Sequence, residues 1–120
     1  NMINIYNIED NATIDLNNNT FEFSGNAYRF ANTQNHTATI NMNNNKYDTT
    51  DDYNNYEYAG LICFQPWPGE NPSYANYTIN MNNLVGPNGT VLTANGTGIN
   101  QIYYTYDDAN RTVELPTIHY

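Results

Sequence analysis

The sequence predicts an all-β fold, an immunoglobulin-like β-sandwich with an extended N-terminal donor strand. Three observations point to it. Apolar residues alternate with polar ones in short runs. Turn-forming clusters separate the runs at intervals of about 8–12 residues. No window carries helical periodicity. At 120 residues the chain has the length of one domain.

The alternating positions are Ile14/Leu16, Phe21/Phe23, Tyr28/Phe30, Ala38/Ile40/Met42, Tyr77/Ile79/Met81, Val91/Thr93, Ile102/Tyr104/Tyr106, Val113/Leu115 and Ile118/Tyr120. Each set shares one face of a strand, because side chains repeat with period two. Ser24-Gly25-Asn26, Gly86-Pro87-Asn88-Gly89, Asn95-Gly96-Thr97-Gly98 and Asp107-Asp108-Ala109-Asn110 supply turns between them. Residues 43–56 are rich in Asn and Asp and poor in apolar side chains, which predicts a long exposed loop or loose hairpin. No internal repeat with a steady period is evident.

Cys63 is the only cysteine, so no disulfide forms within the chain and the antibody-type Cys…Trp…Cys pattern is missing. Its apolar neighbours Leu61, Ile62 and Phe64 predict a buried thiol.

The first ten residues stand apart. Met2, Ile3, Asn4, Ile5, Tyr6, Asn7 and Ile8 are β-prone, with Ile3 and Ile5 on one face and Tyr6 and Ile8 on the other. Glu9-Asp10-Asn11 reads as a linker. This divides the chain into a segment 1–10 and a body 11–120. The segment has two readings: a donor strand for the open sheet edge of a neighbouring subunit, or the first strand of its own sheet.

Composition excludes several partners. Lys46, Arg29 and Arg111 are the only strong bases against 12 acids, a net charge of −9. Nucleic acid and anionic membranes both reward Lys and Arg, so neither is expected. No run of 18 apolar residues offers a membrane span. Asparagine occurs 25 times beside a single lysine, a surface made polar without charge. Such a surface would suit acid, where carboxylates are neutral and the net charge moves towards +5, from three Lys/Arg and two His.

Seven Asn-x-Thr sequons follow: Asn11, Asn18, Asn35, Asn76, Asn88, Asn95 and Asn110. Asn71 precedes Pro72 and is excluded. They predict a secreted glycoprotein whose only attached groups are N-linked glycans, with Asn1 as a mature N-terminus left by leader removal. Catalytic patterns are weak. Ser24 and Ser73 sit in no nucleophile elbow, and His36 lies inside a sequon. Asp48, Asp51 and Asp52 lack the full calcium-loop pattern. No enzyme activity, cofactor or metal is expected.

The tail Asn1–Asp10, the seven sequons and the Asn/Tyr/Thr-rich, Lys-poor body together resemble the thread pilins of thermoacidophilic archaea. That resemblance implies immunoglobulin-like subunits joined head to tail, the tail of one completing the sheet of the next. It implies a structural role in an extracellular surface filament for adhesion or biofilm, with Met2–Ile8 as the donor. A monomeric carbohydrate-binding adhesin domain and an S-layer or viral coat glycoprotein are the alternatives.

Overall fold

A computed structural model of the chain describes residues 3–24, 26–31, 36–50, 60–65, 73–86, 103–105, 114 and 116–119. Ten strands lie among them: β1 (Ile3–Tyr6), β2 (Ala12–Asp15), β3 (Thr20–Phe23), β4 (Asn26–Ala31), β5 (Ala38–Asn41), β6 (Lys46–Thr49), β7 (Gly60–Gln65), β8 (Tyr77–Asn80), β9 (Tyr103–Thr105) and β10 (Thr117–His119). The fold is all-β, as the sequence predicts.

The sandwich expectation is corrected. Every pairing among the described strands is parallel, whereas immunoglobulin sheets are antiparallel. Consecutive strands fall in different sheets, ordered β1-β4-β7-β9, β2-β5-β8-β10 and β3-β6. The chain therefore winds as a solenoid. β1, β2 and β3 form the first coil, and β4, β5 and β6 the second. β7 and β8 form the third, with Val85 bridging to Lys46, and β9 and β10 form the fourth.

A repeat underlies this winding, and its period is uneven. Ile3 pairs with Tyr28, Tyr28 with Ile62 and Ile62 with Tyr103. In the second wall Ala12 pairs with Ala38, Ala38 with Tyr77, and Thr78 with Thr117. One passage keeps constant length, the corner from the second wall to the third. It runs Asp15 to Thr20, Asn41 to Lys46 and Asn80 to Val85. The sequences there are Leu16-Asn17-Asn18-Asn19, Met42-Asn43-Asn44-Asn45 and Met81-Asn82-Asn83-Leu84.

Asparagine suits this corner for two reasons. Asn18, Asn44 and Asn83 take left-handed backbone, with φ of 62°, 58° and 58°, a region Asn tolerates better than other residues with a side chain. Asparagine amides also bond from coil to coil. Asn17 Oδ1 accepts from the N–H of Asn43 at 2.7 Å, and Asn43 Oδ1 from the N–H of Asn82 at 3.0 Å. Asn83 Nδ2 donates to Asn44 Oδ1 at 2.7 Å.

Inside, like side chains stack. Ile14, Ile40, Ile79 and Ile118 occupy one register column. Ile5, Phe30 and Phe64 occupy another, the two phenyl rings lying 5.3 Å apart. Phe21 stacks on Tyr47 at 5.2 Å. The inward alternation of Phe21/Phe23, Tyr28/Phe30, Ala38/Ile40/Met42 and Tyr77/Ile79/Met81 holds, all of them buried. Val91/Thr93, Ile102, Tyr106, Val113/Leu115 and Tyr120 lie outside the described residues.

The expected loop at 43–56 is corrected in its first half. Asn43–Asn45 is a corner, and Lys46–Thr49 is a strand that buries Tyr47. Residues 51–56 lie outside the described residues. Alternation alone missed β6 because one inward side chain, Tyr47, sits among Lys46, Asp48 and Thr49.

Asn44→Ala is expected to destabilise the fold by about 1 kcal/mol, because alanine lacks the short polar side chain that lets asparagine tolerate left-handed backbone. Asn44→Gly should move stability far less, because glycine enters that region freely. Urea unfolding of the two variants checks this, and equal losses would contradict the corner's backbone role.

Candidate functional site

Two features stand out: the open end of the first coil and the corners that carry sequons. Among the described residues, β1, β2 and β3 are the edge strands of their sheets. An edge strand presents unpaired N–H and C=O groups. Beside β1 and β2 lies a hollow of about 450 Å³, lined mainly by Ile3, Ile5, Ile8, Ala12, Ile14 and Leu16, with Asn4, Tyr6 and Glu9 at its polar part. Ile3, Ala12, Ile14 and Leu16 are only half-buried, although their counterparts in the next coils are buried. Among the described residues, the first coil thus ends the core on half-buried apolar side chains.

The N-terminal segment sits here, and its structure corrects the expectation of a free donor. Ile3–Tyr6 pairs with Tyr28–Ala31 of its own chain, which was the other reading of the tail. Ile5 and Ile8 both enter the common core. Ile8 turns inward, against the simple alternation, because Asn7 takes left-handed backbone at φ 50° and resets the phase. Arg29 Nη1 donates to the Tyr6 hydroxyl at 2.9 Å, and its guanidinium lies 5.8 Å from the ring centre. Met2 lies outside the described residues.

The expected linker at Glu9–Asn11 is bonded to the second coil. His36 Nδ1 lies 2.7 Å from the Ile8 carbonyl, which can only accept, so this nitrogen carries the proton. Asp10 Oδ1 accepts from the N–H of Thr37 at 2.8 Å, and the N–H of Asn11 donates to the Thr37 carbonyl at 2.7 Å.

Three sequon asparagines are described, Asn11, Asn18 and Asn76, and all are exposed. Asn11 and Asn76 immediately precede β2 and β8, Asn18 lies within the corner before β3, and each has its threonine two residues on. Asn11 and Asn76 occupy the same corner two coils apart, since Thr37 lies between them in register. At one strand spacing per coil they are about 10 Å apart. Asn35, Asn88, Asn95 and Asn110 lie outside the described residues.

A buried polar cluster holds the corner from within. Asn45 is buried beneath the second and third walls. Its Oδ1 accepts from the N–H of Asn19 at 2.7 Å. Its amide N–H groups are shared among the Leu16 carbonyl at 2.7 Å, the Tyr47 hydroxyl at 3.0 Å and the Tyr28 hydroxyl at 3.1 Å. The two tyrosine hydroxyls also bond to each other. Burial raises both phenols, Tyr28 far above the usual tyrosine range and Tyr47 to about 12. Cys63 is buried, as its apolar run predicts.

A motif carries the corner, and the search for a steady period passes over it. Thr13-Ile14-Asp15-Leu16-Asn17-Asn18-Asn19 returns as Thr39-Ile40-Asn41-Met42-Asn43-Asn44-Asn45, as Thr78-Ile79-Asn80-Met81-Asn82-Asn83-Leu84 and, shortened, as Thr117-Ile118-His119. Among the described residues no helix is long and apolar enough to cross a membrane. No family model matches the chain, and neither curated proteins nor solved structures give a match.

Two outcomes are expected. Asn45→Ala should cost at least about 2 kcal/mol in denaturant unfolding, because it takes the partner from the Leu16 carbonyl and the Asn19 N–H and leaves the two buried tyrosine hydroxyls only each other. Stability should also fall as pH rises from 10 towards 12. The raised phenols stay protonated in the fold, while unfolded tyrosines ionise near pH 10, so the unfolded state holds fewer protons there. A flat stability profile between pH 10 and 12 would refute the buried tyrosine pair.

Proposed function

We propose that this chain is a structural, non-catalytic building block of an extracellular surface fibre, glycosylated on its corners and joined head to tail through the ends of its solenoid. The single observation that carries the reading is the open first coil. Among the described residues it combines the outer strands of three sheets with a largely apolar hollow beside β1 and β2, and such a surface is usually covered in a soluble protein.

A repeat that advances by translation favours a heterologous contact, end against opposite end. Such contacts extend into filaments rather than closing. The sequon corners fit this arrangement. Asn11, Asn18 and Asn76 lie where the chain turns between walls, so sugars there would coat the sides of a fibre. The mechanism differs from donor-strand exchange. Here coil sits upon coil, and the first strand stays in its own sheet.

Electron microscopy of native surface material tests this. Four coils at the parallel strand spacing predict an axial repeat of about 19 Å per subunit. Glycopeptide mapping should find sugar at Asn11, Asn18 and Asn76. A glycan-free monomer that never forms fibres at high concentration would overturn the reading.

A further inference from the structure

We infer that the partner of the open first coil is the fourth coil of a second copy, with β10 of one subunit pairing in parallel with β2 of the next. This inference rests on the fibre reading above and names its interface. The register follows from the columns already inside the subunit. Thr13, Thr39, Thr78 and Thr117 form one column, and Ile14, Ile40, Ile79 and Ile118 the next. Asp15, Asn41, Asn80 and His119 form the third. β2 is the outer edge at one end of this sheet and β10 the outer edge at the other.

Continuing the sheet by one strand spacing places Thr117 of one copy on Thr13 of the next, Ile118 on Ile14, and His119 on Asp15. Each match repeats or completes a column. Ile14 and Ile118 are the two half-buried members of an isoleucine stack whose inner members, Ile40 and Ile79, are buried. Meeting, they would shield each other.

The third column supplies the complementarity. Inside the subunit it is a hydrogen-bonded ladder: Asn80 Nδ2 donates to Asn41 Oδ1 at 2.9 Å, and Asn41 Nδ2 donates to Asp15 Oδ1 at 2.7 Å. The column thus begins on an acceptor-only carboxylate and ends on an imidazole that can donate. Both Asp15 and His119 are exposed. The imidazole N–H of one copy donates to the carboxylate of the next, and the ladder runs on across the junction.

The same displacement brings β9 against β1, aligning Tyr103 with Ile3 and Thr105 with Ile5. A two-fold contact between two first coils is disfavoured. It would turn Glu9, Asp10 and Asp15 of one copy towards the same acids of the other, with no base between them in β2.

Paired cysteines test the register. Adjacent in-register residues sit within disulfide reach, and the native Cys63 is buried. Asp15→Cys is mixed with His119→Cys in the otherwise complete, glycosylated protein and oxidised gently. A mixed disulfide dimer is expected, and neither variant alone should dimerise. The double variant carrying both should give a ladder of covalent oligomers.

Charge exchange is the second arm. Asp15→His and His119→Asp should each weaken association at least about tenfold, the loss of a charge-assisted hydrogen bond. The combined Asp15→His/His119→Asp protein should recover it. Self-dimerisation of Asp15→Cys would overturn the head-to-tail register in favour of a two-fold contact. Fibres that form without the mixed disulfide would overturn this interface while leaving the fibre reading intact. Absence of any association would remove both.

Discussion

The fold depends on asparagine side chains that bond the corner of one coil to the corner of the next. At each turn from second wall to third, an amide oxygen accepts a backbone N–H one coil away, at Asn17 to Asn43 and again at Asn43 to Asn82. Such a bond exists only when successive corners stack in the same direction and in register. A hairpin, which reverses the chain, would put unlike residues opposite each other and leave these donors without partners. Asn45 adds the inner half of the constraint. Its buried amide ties the corners of two coils to the phenols of Tyr28 and Tyr47, from two different walls. The corner length is therefore fixed while the other passages vary. The extra residues of the later coils fall outside it, chiefly between Thr49 and Gly60, between Gln65 and Tyr77 and between Val85 and Tyr103.

In-register stacking also explains the composition. Equivalent positions lie about 4.8 Å apart along a column, so a column of like charge would repel itself at every step. Isoleucine, threonine, aromatic rings and amides can each stack on their own kind. The second wall uses this choice on both faces, with isoleucine inward and threonine and asparagine outward. The exception shows the cost. Glu22 lies opposite Asp48 in the third wall, where like charges disfavour pairing, and both stay at the exposed face where water screens them. Asparagine at the described corners and on the outer face of the second wall thus fits parallel stacking.

Much of the strand content was legible in the sequence, and its pairing was not. Period-two alternation identifies which face of Phe21/Phe23, Ala38/Ile40/Met42 or Tyr77/Ile79/Met81 is buried, because that depends on each strand alone. It is silent on whether the neighbour runs parallel or antiparallel. The deciding signal was the recurrence of Thr-Ile-Asx followed by Leu or Met and then asparagines. Insertions of unequal length between its copies hide it from any search for a constant spacing. Asn7 defeated the pattern locally, since one left-handed residue turns Ile8 back into the core. Asn11, Asn18 and Asn76 were legible as sequons, and the structure adds that all three stand exposed at corners. The pairing of Asp15 with Asn41 was hidden, because it spans 26 positions and needs the register to be known.

A coil repeated by translation has no natural end. Each coil satisfies the one before it and leaves its own outer edge unsatisfied, so the open edge moves along the stack without disappearing. β2 carries no proline, lysine or bulge to blunt that edge, its one charge is Asp15, and its inward Ala12 and Ile14 remain half-buried. Proteins that remain monomeric usually guard such an edge with one of these devices. An unguarded edge is a hazard where any strand can pair with it, and a joint where one strand fits better than the rest. Here the fit has a direction, because the polar column starts on Asp15 and finishes on His119. That polarity makes the two ends complementary to each other and not to themselves, and it turns an aggregation-prone edge into a selective one.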